Sequence, residues 1–193
     1  MLKRLLFLQK TLRSHPLLNS NKNKTEAIRR LLECYLALLF KKDVVFPYIG
    51  SSKLVLNKRV RSGCAYYYLG LSDFEQMSFL LHFLIESDYF VDTGAYVGAY
   101  TILASAVKKA RTLAIEPALF SYNYLQKNIH ENQLENRVEA LNIVAGDKDD
   151  IVDFVAQQDP LSHVLKKGEH CVNQCKVLMR RLDDIIGSTP PHL

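Results

Sequence analysis

Apolar and polar residues alternate with a changing period in the second half of the chain, where short apolar runs are separated by stretches with helical spacing. This pattern predicts strands over residues 89–92, 111–115 and 137–143. Between these strands it predicts helices over residues 99–108 and 119–131. Strands that alternate with helices in this way are typical of a parallel sheet with helical crossovers.

The first half of the chain has a less regular pattern. Helical spacing predicts helices over residues 27–40 and 73–87, with Thr25 and Asp73 as their N-caps. Residues 41–70, between these helices, combine short β-rich pieces with glycine turns. The chain has 193 residues, of which 48% are hydrophobic, and it is therefore long and apolar enough to bury a sizeable core.

The stretch YFVDTGAYVGAYTILAS, residues 89–105, joins a predicted strand to a predicted helix through a turn that contains Gly94 and Gly98. Such a turn leaves backbone N–H groups unpaired, and glycine lets a ligand approach them closely. Glu116 ends the next predicted strand, twenty-four residues after Asp92. In a doubly wound sheet an acidic residue at this point accepts hydrogen bonds from ribose hydroxyls. We therefore interpret the turn and Glu116 as a site for a ligand that contains a nucleoside, with plain helix–strand packing as the alternative.

The residues around the turn distinguish between two such ligands. The dinucleotide fingerprint is Gly-x-Gly-x-x-Gly, and Tyr96 stands where its second glycine is expected. A carboxylate at Asp92, ahead of the turn, would repel a pyrophosphate but attract the ammonium and sulfonium groups of S-adenosylmethionine. The sequence thus favours S-adenosylmethionine over NAD, and a methyltransferase over an NAD-binding oxidoreductase.

Three segments, FVDTGAYVGAYTILAS, LAIEPALFSYNYLQKNIHENQLENRVEALNIVAGDKDDIVDF and RRLDDII, resemble the FkbM-type class I methyltransferases. The shared features are an acid-x-Gly-Ala-x-x-Gly-x-x-Thr loop, a Glu-Pro after the second strand, an Asn-x-x-Ala segment after the third and a later Leu-Asp-Asp turn. The resemblance runs from about residue 68 to residue 186. It implies an α/β fold with a Rossmann-like sheet in three αβα layers, and S-adenosylmethionine as the cofactor.

The resemblance also assigns site residues by position. It places Glu116 on the ribose, and Pro117 and Asn142 near the adenine. The residues that it places at the methionine end of the cofactor are Asp92, Gly94, Ala95, Gly98 and Thr101. Tyr96 replaces the Asn that is usual in the family. The resemblance implies a small molecule or a glycan as the methyl acceptor and leaves the catalytic base unassigned. We predict no nucleic-acid partner, because no recognised binding motif accompanies the basic residues. The predicted cofactor-binding residues are Asp92, Thr93, Gly94, Ala95, Tyr96, Gly98, Thr101, Glu116, Pro117 and Asn142.

The chain stops at RRLDDIIGSTPPHL, whereas members of this family continue from the Leu-Asp-Asp turn into further strands. We therefore expect a sheet that lacks its C-terminal strands and an apolar edge on the strand at residues 89–92. An exposed edge of this kind promotes self-association. Either the chain is a fragment or residues 1–70 complete the fold, and a non-catalytic remnant or binding module is an alternative to an active enzyme.

Charge divides the chain into two predicted regions. Residues 1–61 carry 14 Lys and Arg against 3 Asp and Glu, whereas residues 62–193 carry 11 against 17. We predict a basic, mostly helical N-terminal region with short strands over the first range and a cofactor-binding domain over the second. Residues 1–13 have the composition of an amphipathic helix, which we expect to pack on its own domain, with contact to an anionic membrane as the alternative.

The remaining candidate ligands do not form a recognised metal-binding pattern. The cysteines, Cys34, Cys64, Cys171 and Cys175, lack the spacing of a zinc site, and we interpret them as reduced thiols of a cytoplasmic protein. The acidic run at residues 147–153 is interpreted as a solvated turn before an edge strand, because it lacks the loop pattern that hard cations need.

Overall fold

The structure is a computed structural model that describes residues 10–11, 13–155, 162–165 and 174–193. Most of the predicted amphipathic segment at residues 1–13, and Cys171, lie outside the described residues. Among the residues that are described, no helix has both the length and the apolar character needed to cross a bilayer.

The first part of the described chain consists of a long helix, a hairpin and two shorter helices. After a 3-10 turn at Pro16–Leu18, the elements in chain order are helix α1 (Asn21–Phe40), strand β1 (Asp43–Pro47), strand β2 (Lys53–Asn57), helix α2 (Cys64–Leu69) and helix α3 (Phe74–Phe83). Strands β1 and β2 pair antiparallel, with Val45 opposite Val55.

Helix α1 begins earlier than the sequence predicts. Its N-cap is Ser20, whose hydroxyl accepts a hydrogen bond from the amide of Asn23 at 3.1 Å. The predicted cap, Thr25, lies inside the helix, and its hydroxyl donates to the carbonyl of Asn21. The helical spacing of apolar residues starts only at Ala27, so the polar residues 21–26 carry no periodic pattern that would predict a helix.

The second part contains the predicted parallel sheet. Its elements are strand β3 (Tyr89–Thr93), helix α4 (Ala99–Ile102), which continues as a π-helical turn at Leu103–Val107, strand β4 (Arg111–Ile115), helix α5 (Leu119–Glu131) and strand β5 (Val138–Leu141). The strand order is β3-β4-β5, and both pairings are parallel. This β-α-β-α-β arrangement is a Rossmann-like α/β fold, as the sequence predicts.

The last described elements form a second, smaller sheet. They are strand β6 (Val144–Gly146), strand β7 (Asp150–Val155), strand β8 (His163–Val164), strand β9 (Gln174–Arg181) and helix α6 (Leu182–Ile186). The order is β6-β9-β7-β8, with β6 parallel and β7 antiparallel to β9. The acidic turn at residues 147–149 thus leads directly into a strand, as the sequence pattern predicts. However, β7 pairs with both β9 and β8, so it is not the edge strand that we expected.

The outer edge of β3 differs from the exposed apolar edge that we expected. The amide of His192 donates to the carbonyl of Tyr89 at 2.8 Å, and the amide of Val91 donates to the carbonyl of Leu193 at 2.9 Å. The ring of His192 also accepts from the amide of Tyr89 at 3.1 Å. These bonds satisfy main-chain groups that an uncovered edge strand would leave unpaired.

One hydrophobic core joins the N-terminal elements to the parallel sheet. It contains Cys34 from α1, Leu54 and Leu56 from β2, Val97 from the turn after β3, and Leu125 from α5. Residues from both predicted regions of the chain therefore pack in the same core, and the hairpin is buried against the face of α5.

Two asparagine side chains on α5 attach the hairpin to this helix. The buried amide of Asn128 accepts from the backbone N–H of Val55 at 2.5 Å and donates to the carbonyl of Val97 at 2.8 Å. One turn later, Asn132 accepts from the N–H of Lys53 at 2.8 Å and donates to the carbonyl of the same residue at 2.8 Å. The side chains of α5 thus occupy the free edge of β2.

We expect Asn128→Ala to lower the free energy of unfolding by about 2–5 kcal/mol, because it leaves a buried N–H and a buried carbonyl without partners. The matched control is Asn132→Ala, which removes the same amide from a half-buried position beside the exposed Lys53, where water can replace it. We expect this control to lose about 1 kcal/mol or less. Urea denaturation measures both variants, and equal losses would show that Asn128 has no special role.

Candidate cofactor-binding site

The turn after β3 adopts an unusual backbone conformation. Gly94, Tyr96 and Gly98 all have positive φ, at 79°, 54° and 89°. The left-handed region costs a residue with a side chain roughly 1–2 kcal/mol, and Asn tolerates it better than Tyr. The hydroxyl of Tyr96 lies 2.7 Å from the hydroxyl of Ser62, and this contact helps to hold the strained residue in place.

The two glycines of the turn have different roles. A Cβ atom added at Gly94 would meet no heavy atom within 4 Å, so this position borders open space. A Cβ atom added at Gly98 would lie 2.6 Å from Cδ1 of Leu125. Gly98 is therefore required by the packing of the turn against α5, and only Gly94 leaves room for a ligand.

The backbone amides of the turn do not face a ligand, contrary to our expectation. The N–H groups of Gly94 and Ala95 both donate to the carbonyl of Ile115, at 2.8 and 3.0 Å. The N–H of Gly98 donates to the carbonyl of Ala95 at 2.8 Å. The turn folds back over the end of β4, and its own protein acceptors satisfy these donors.

Asp92 is a buried carboxylate at the end of β3. Its Oδ2 accepts a hydrogen bond from the hydroxyl of Thr101, itself fully buried on α4, at 2.5 Å. Burial raises the pKa of Asp92 to about 6, although the hydrogen bond from Thr101 opposes this shift. No ion pair of Asp92 is found in the described part of the chain. A buried carboxylate of this kind is stabilised by a cation placed beside it.

Glu116 connects the turn to the start of α5. Its Oε2 accepts from the N–H of Tyr96 and its Oε1 accepts from the N–H of Ala118, both at 2.8 Å. Burial raises the pKa of this carboxyl, the two backbone hydrogen bonds lower it, and the charge of Asp92 raises it further. Each carboxylate oxygen has a second lone pair, so Glu116 can still accept a hydrogen bond from another donor.

Asn142 and Pro117 meet at the neighbouring strand end. The side-chain amide of Asn142, just after β5, donates to the carbonyls of Glu116 and Pro117 at 2.8 and 3.0 Å. The exposed Thr93 ends β3. The structure thus brings the ten predicted residues together at the carboxyl ends of three parallel strands and the first turn of α4.

Residues from the N-terminal half also border this site, and no sequence motif indicated them. The hydroxyl of Tyr100 donates to Oδ2 of Asp73 at 3.3 Å. Asp73 is the N-cap residue of α3, as predicted, but its side chain makes no capping hydrogen bond. The pKa of Tyr66 is raised by burial and then by the charge of Asp73, with smaller effects from Tyr100, Tyr96 and Asp92. Tyrosines and carboxylates therefore surround the Asp92 side of the turn.

No protein-family model and no curated protein matches the chain. Among solved structures, it is similar to the methyltransferase FkbM of Methylobacillus flagellatus KT, with 16% identity over 84% of this chain and 39% of that chain, at a TM-score of 0.40. TYW2 of M. jannaschii, solved with AdoMet, is 22% identical over 52% of this chain and 43% of that chain, at 0.41. A tRNA methyltransferase of M. jannaschii is 21% identical over 56% and 34%, at 0.38.

The chain spans less than half the length of each of these three structures. All three TM-scores are below 0.5, so the fold assignment rests on the strand order and the parallel pairings. Membership of the FkbM-type family stays a prediction from the sequence motifs.

The raised pKa of Asp92 predicts a pH-dependent difference in stability. The pKa of the carboxyl is raised from 3.8 in the unfolded chain to about 6 in the fold. Its protonation therefore stabilises the fold fully below pH 3.8, and this contribution is lost as the pH rises through 6. Asp92→Asn cannot ionise, and we expect it to exceed the wild type by about 2–3 kcal/mol at pH 8 and to match it near pH 4.

Urea denaturation between pH 4 and pH 8 measures this difference. Asp183→Asn is the control, because that side chain is 87% exposed on α6. If the wild type and Asp92→Asn gave parallel curves across this range, the carboxyl would titrate as an exposed group does.

Proposed function

We propose that the chain binds S-adenosylmethionine at the carboxyl ends of β3 and β4 and transfers its methyl group to a hydroxyl of a sugar or another small molecule. The observation that carries this proposal is the buried carboxylate of Asp92 beside the open space at Gly94. Asp92 and Gly94 would contact the methionine end of the cofactor, and Glu116 would contact the ribose. Thr101 would hold the carboxylate of Asp92 through its buried hydroxyl.

The charge of the site supports a cationic ligand. Asp92 is buried, and Asp73 and Tyr66 lie on the same side of the turn. The ammonium group of S-adenosylmethionine would supply the positive charge that a buried carboxylate lacks, and a carboxylate in a site of low dielectric attracts such a group strongly. The cofactor would supply an electrophilic methyl group at its sulfonium when bound.

The hydrogen bonds of the turn argue against NAD. A dinucleotide places its pyrophosphate on unpaired amides at the start of the first helix. Here the amides of Gly94, Ala95 and Tyr96 already donate to Ile115 and Glu116. A pyrophosphate would have to break these bonds and would also approach the carboxylate of Asp92.

The acidic groups beside the turn also favour a neutral acceptor over a polyanionic one. Nucleic-acid binding relies on Lys and Arg that neutralise phosphates. Asp73 and Asp92 would instead present carboxylates to an acceptor bound beside the turn. A hydroxyl of a small molecule or glycan meets no such repulsion. The methyl-transfer assay therefore includes tRNA as a polyanionic acceptor for comparison.

Gly94→Val should abolish binding of S-adenosylmethionine, because the branched side chain fills the open space beside Asp92. The matched control is Gly50→Val, since Gly50 also has a positive φ, of 63°, and also has no heavy atom within 4 Å of an added Cβ. Both variants carry a similar backbone strain, of roughly 1–2 kcal/mol. We expect calorimetry to show binding to the wild type and Gly50→Val and none to Gly94→Val. Tighter binding of NAD than of S-adenosylmethionine would overturn the cofactor assignment.

A methyl-transfer assay tests the reaction itself. With radiolabelled S-adenosylmethionine and separate pools of glycans, small hydroxyl compounds and tRNA, we expect label in a glycan or small-molecule fraction. We also expect turnover by this chain to be slow, because positioning of the acceptor contributes roughly 7–11 kcal/mol to catalysis and the described residues include no identified acceptor-binding strand. Label in tRNA would contradict the proposed acceptor, and binding without any transfer would identify a cofactor-binding module.

A further inference from the structure

Two cysteines far apart in the sequence meet in the core. Cys34 lies in the middle of α1 and Cys64 begins α2, and the two side chains are 0% and 2% exposed. The thiol of Cys34 donates to the sulfur of Cys64 across 2.6 Å. Non-bonded carbon atoms meet at about 3.5–4.0 Å, so the two sulfur atoms are unusually close.

A cavity gives one of these sulfur atoms access to small molecules. The cavity has a volume of about 220 Å³ and is lined by Tyr35, Leu38, Leu39, Lys58 and Cys64. Tyr35 and Leu39 are 45% and 70% exposed, so the cavity reaches the surface. A water molecule occupies about 30 Å³ in the liquid, and the cavity can therefore admit a molecule of the size of hydrogen peroxide.

We propose that Cys34 and Cys64 form an intramolecular disulfide when the protein meets a peroxide. The sulfur of Cys64 attacks one oxygen of hydrogen peroxide, the O–O bond breaks, and a sulfenic acid and one water are formed. The sulfur of Cys34 then attacks the sulfur of Cys64, the S–O bond breaks, and the thiol proton of Cys34 leaves with the hydroxyl as a second water. In total, two thiols lose two hydrogen atoms and one peroxide becomes two waters.

The environment of the pair assigns a role to each cysteine. The hydrogen bond to Cys64 and burial both raise the pKa of the Cys34 thiol, so Cys34 stays protonated. Cys64 lines the cavity and receives that hydrogen bond, which favours negative charge on its sulfur. Cys64 therefore reacts with the oxidant, and Cys34 resolves the sulfenic acid.

The disulfide would connect α1 to α2 and close a loop that contains the whole β1–β2 hairpin. The two residues are 30 positions apart, so the bond would restrict the unfolded chain considerably. It would also fix the start of α2, two residues after the Ser62 hydroxyl that contacts Tyr96. The start of α2 and the Ser62 contact that supports the turn would thereby become less mobile.

The test uses the whole wild-type chain treated with hydrogen peroxide. After quenching, free thiols are alkylated under denaturing conditions, and peptides are mapped by mass spectrometry without reduction. We expect a peptide that joins Cys34 to Cys64, a mass loss of two hydrogen atoms, and reversal by dithiothreitol. The oxidised protein should unfold at a temperature higher by about 5–10 °C.

Variants separate this pair from the other thiols. Cys175→Ser removes an exposed thiol and should leave the linked peptide and the temperature shift unchanged. Cys34→Ala should instead leave Cys64 to oxidise to a sulfinic acid. Alkylation of both Cys34 and Cys64 after peroxide treatment of the wild type would overturn the proposal, and so would a disulfide that involves Cys171 or Cys175 alone.

Discussion

The carboxylate of Glu116 is the constraint on which the candidate site depends. It accepts backbone N–H groups from the turn after β3 and from the start of α5, and the amide of Asn142 holds the carbonyl of Glu116 itself. One residue therefore joins the carboxyl ends of all three parallel strands. Because it is buried, its hydrogen bonds are shielded from water and position the turn firmly. The residue that would bind a ribose is also the residue that holds the turn in place.

The N-terminal elements complete this site instead of standing apart from it. Ser62 supports the strained Tyr96, and Asp73 binds the hydroxyl of Tyr100 on α4. The buried amide of Asn128 links the hairpin to the carbonyl of Val97 inside the same turn. The segment between the hairpin and β3 thus contributes polar contacts that support the site.

Local apolar periods predicted the parallel sheet well, whereas contacts between distant segments were not predictable. Strand β4 and helix α5 match their predicted bounds, because β4 contains a short apolar run that stops at Glu116 and α5 has helical spacing of apolar residues from Leu119 to Ile129. The pairing of the turn amides depends on the carbonyl of Ile115, and the sequence cannot show that the turn folds back onto it. The two roles of Gly94 and Gly98 were likewise indistinguishable, since they depend on the position of Leu125.

The attachment of β2 to α5 has a consequence for synthesis of the chain. Val55 and Lys53 bind side chains that lie 73 and 79 residues later, so the hairpin leaves the ribosome long before its partners. During that interval the edge of β2 has unpaired N–H and carbonyl groups, which can pair with the strands of other chains. The exposed face of α1 adds Leu36, Leu39 and Phe40 to the apolar surface available at this stage. The nascent N-terminal region is therefore prone to pair with other chains until α5 has been synthesised.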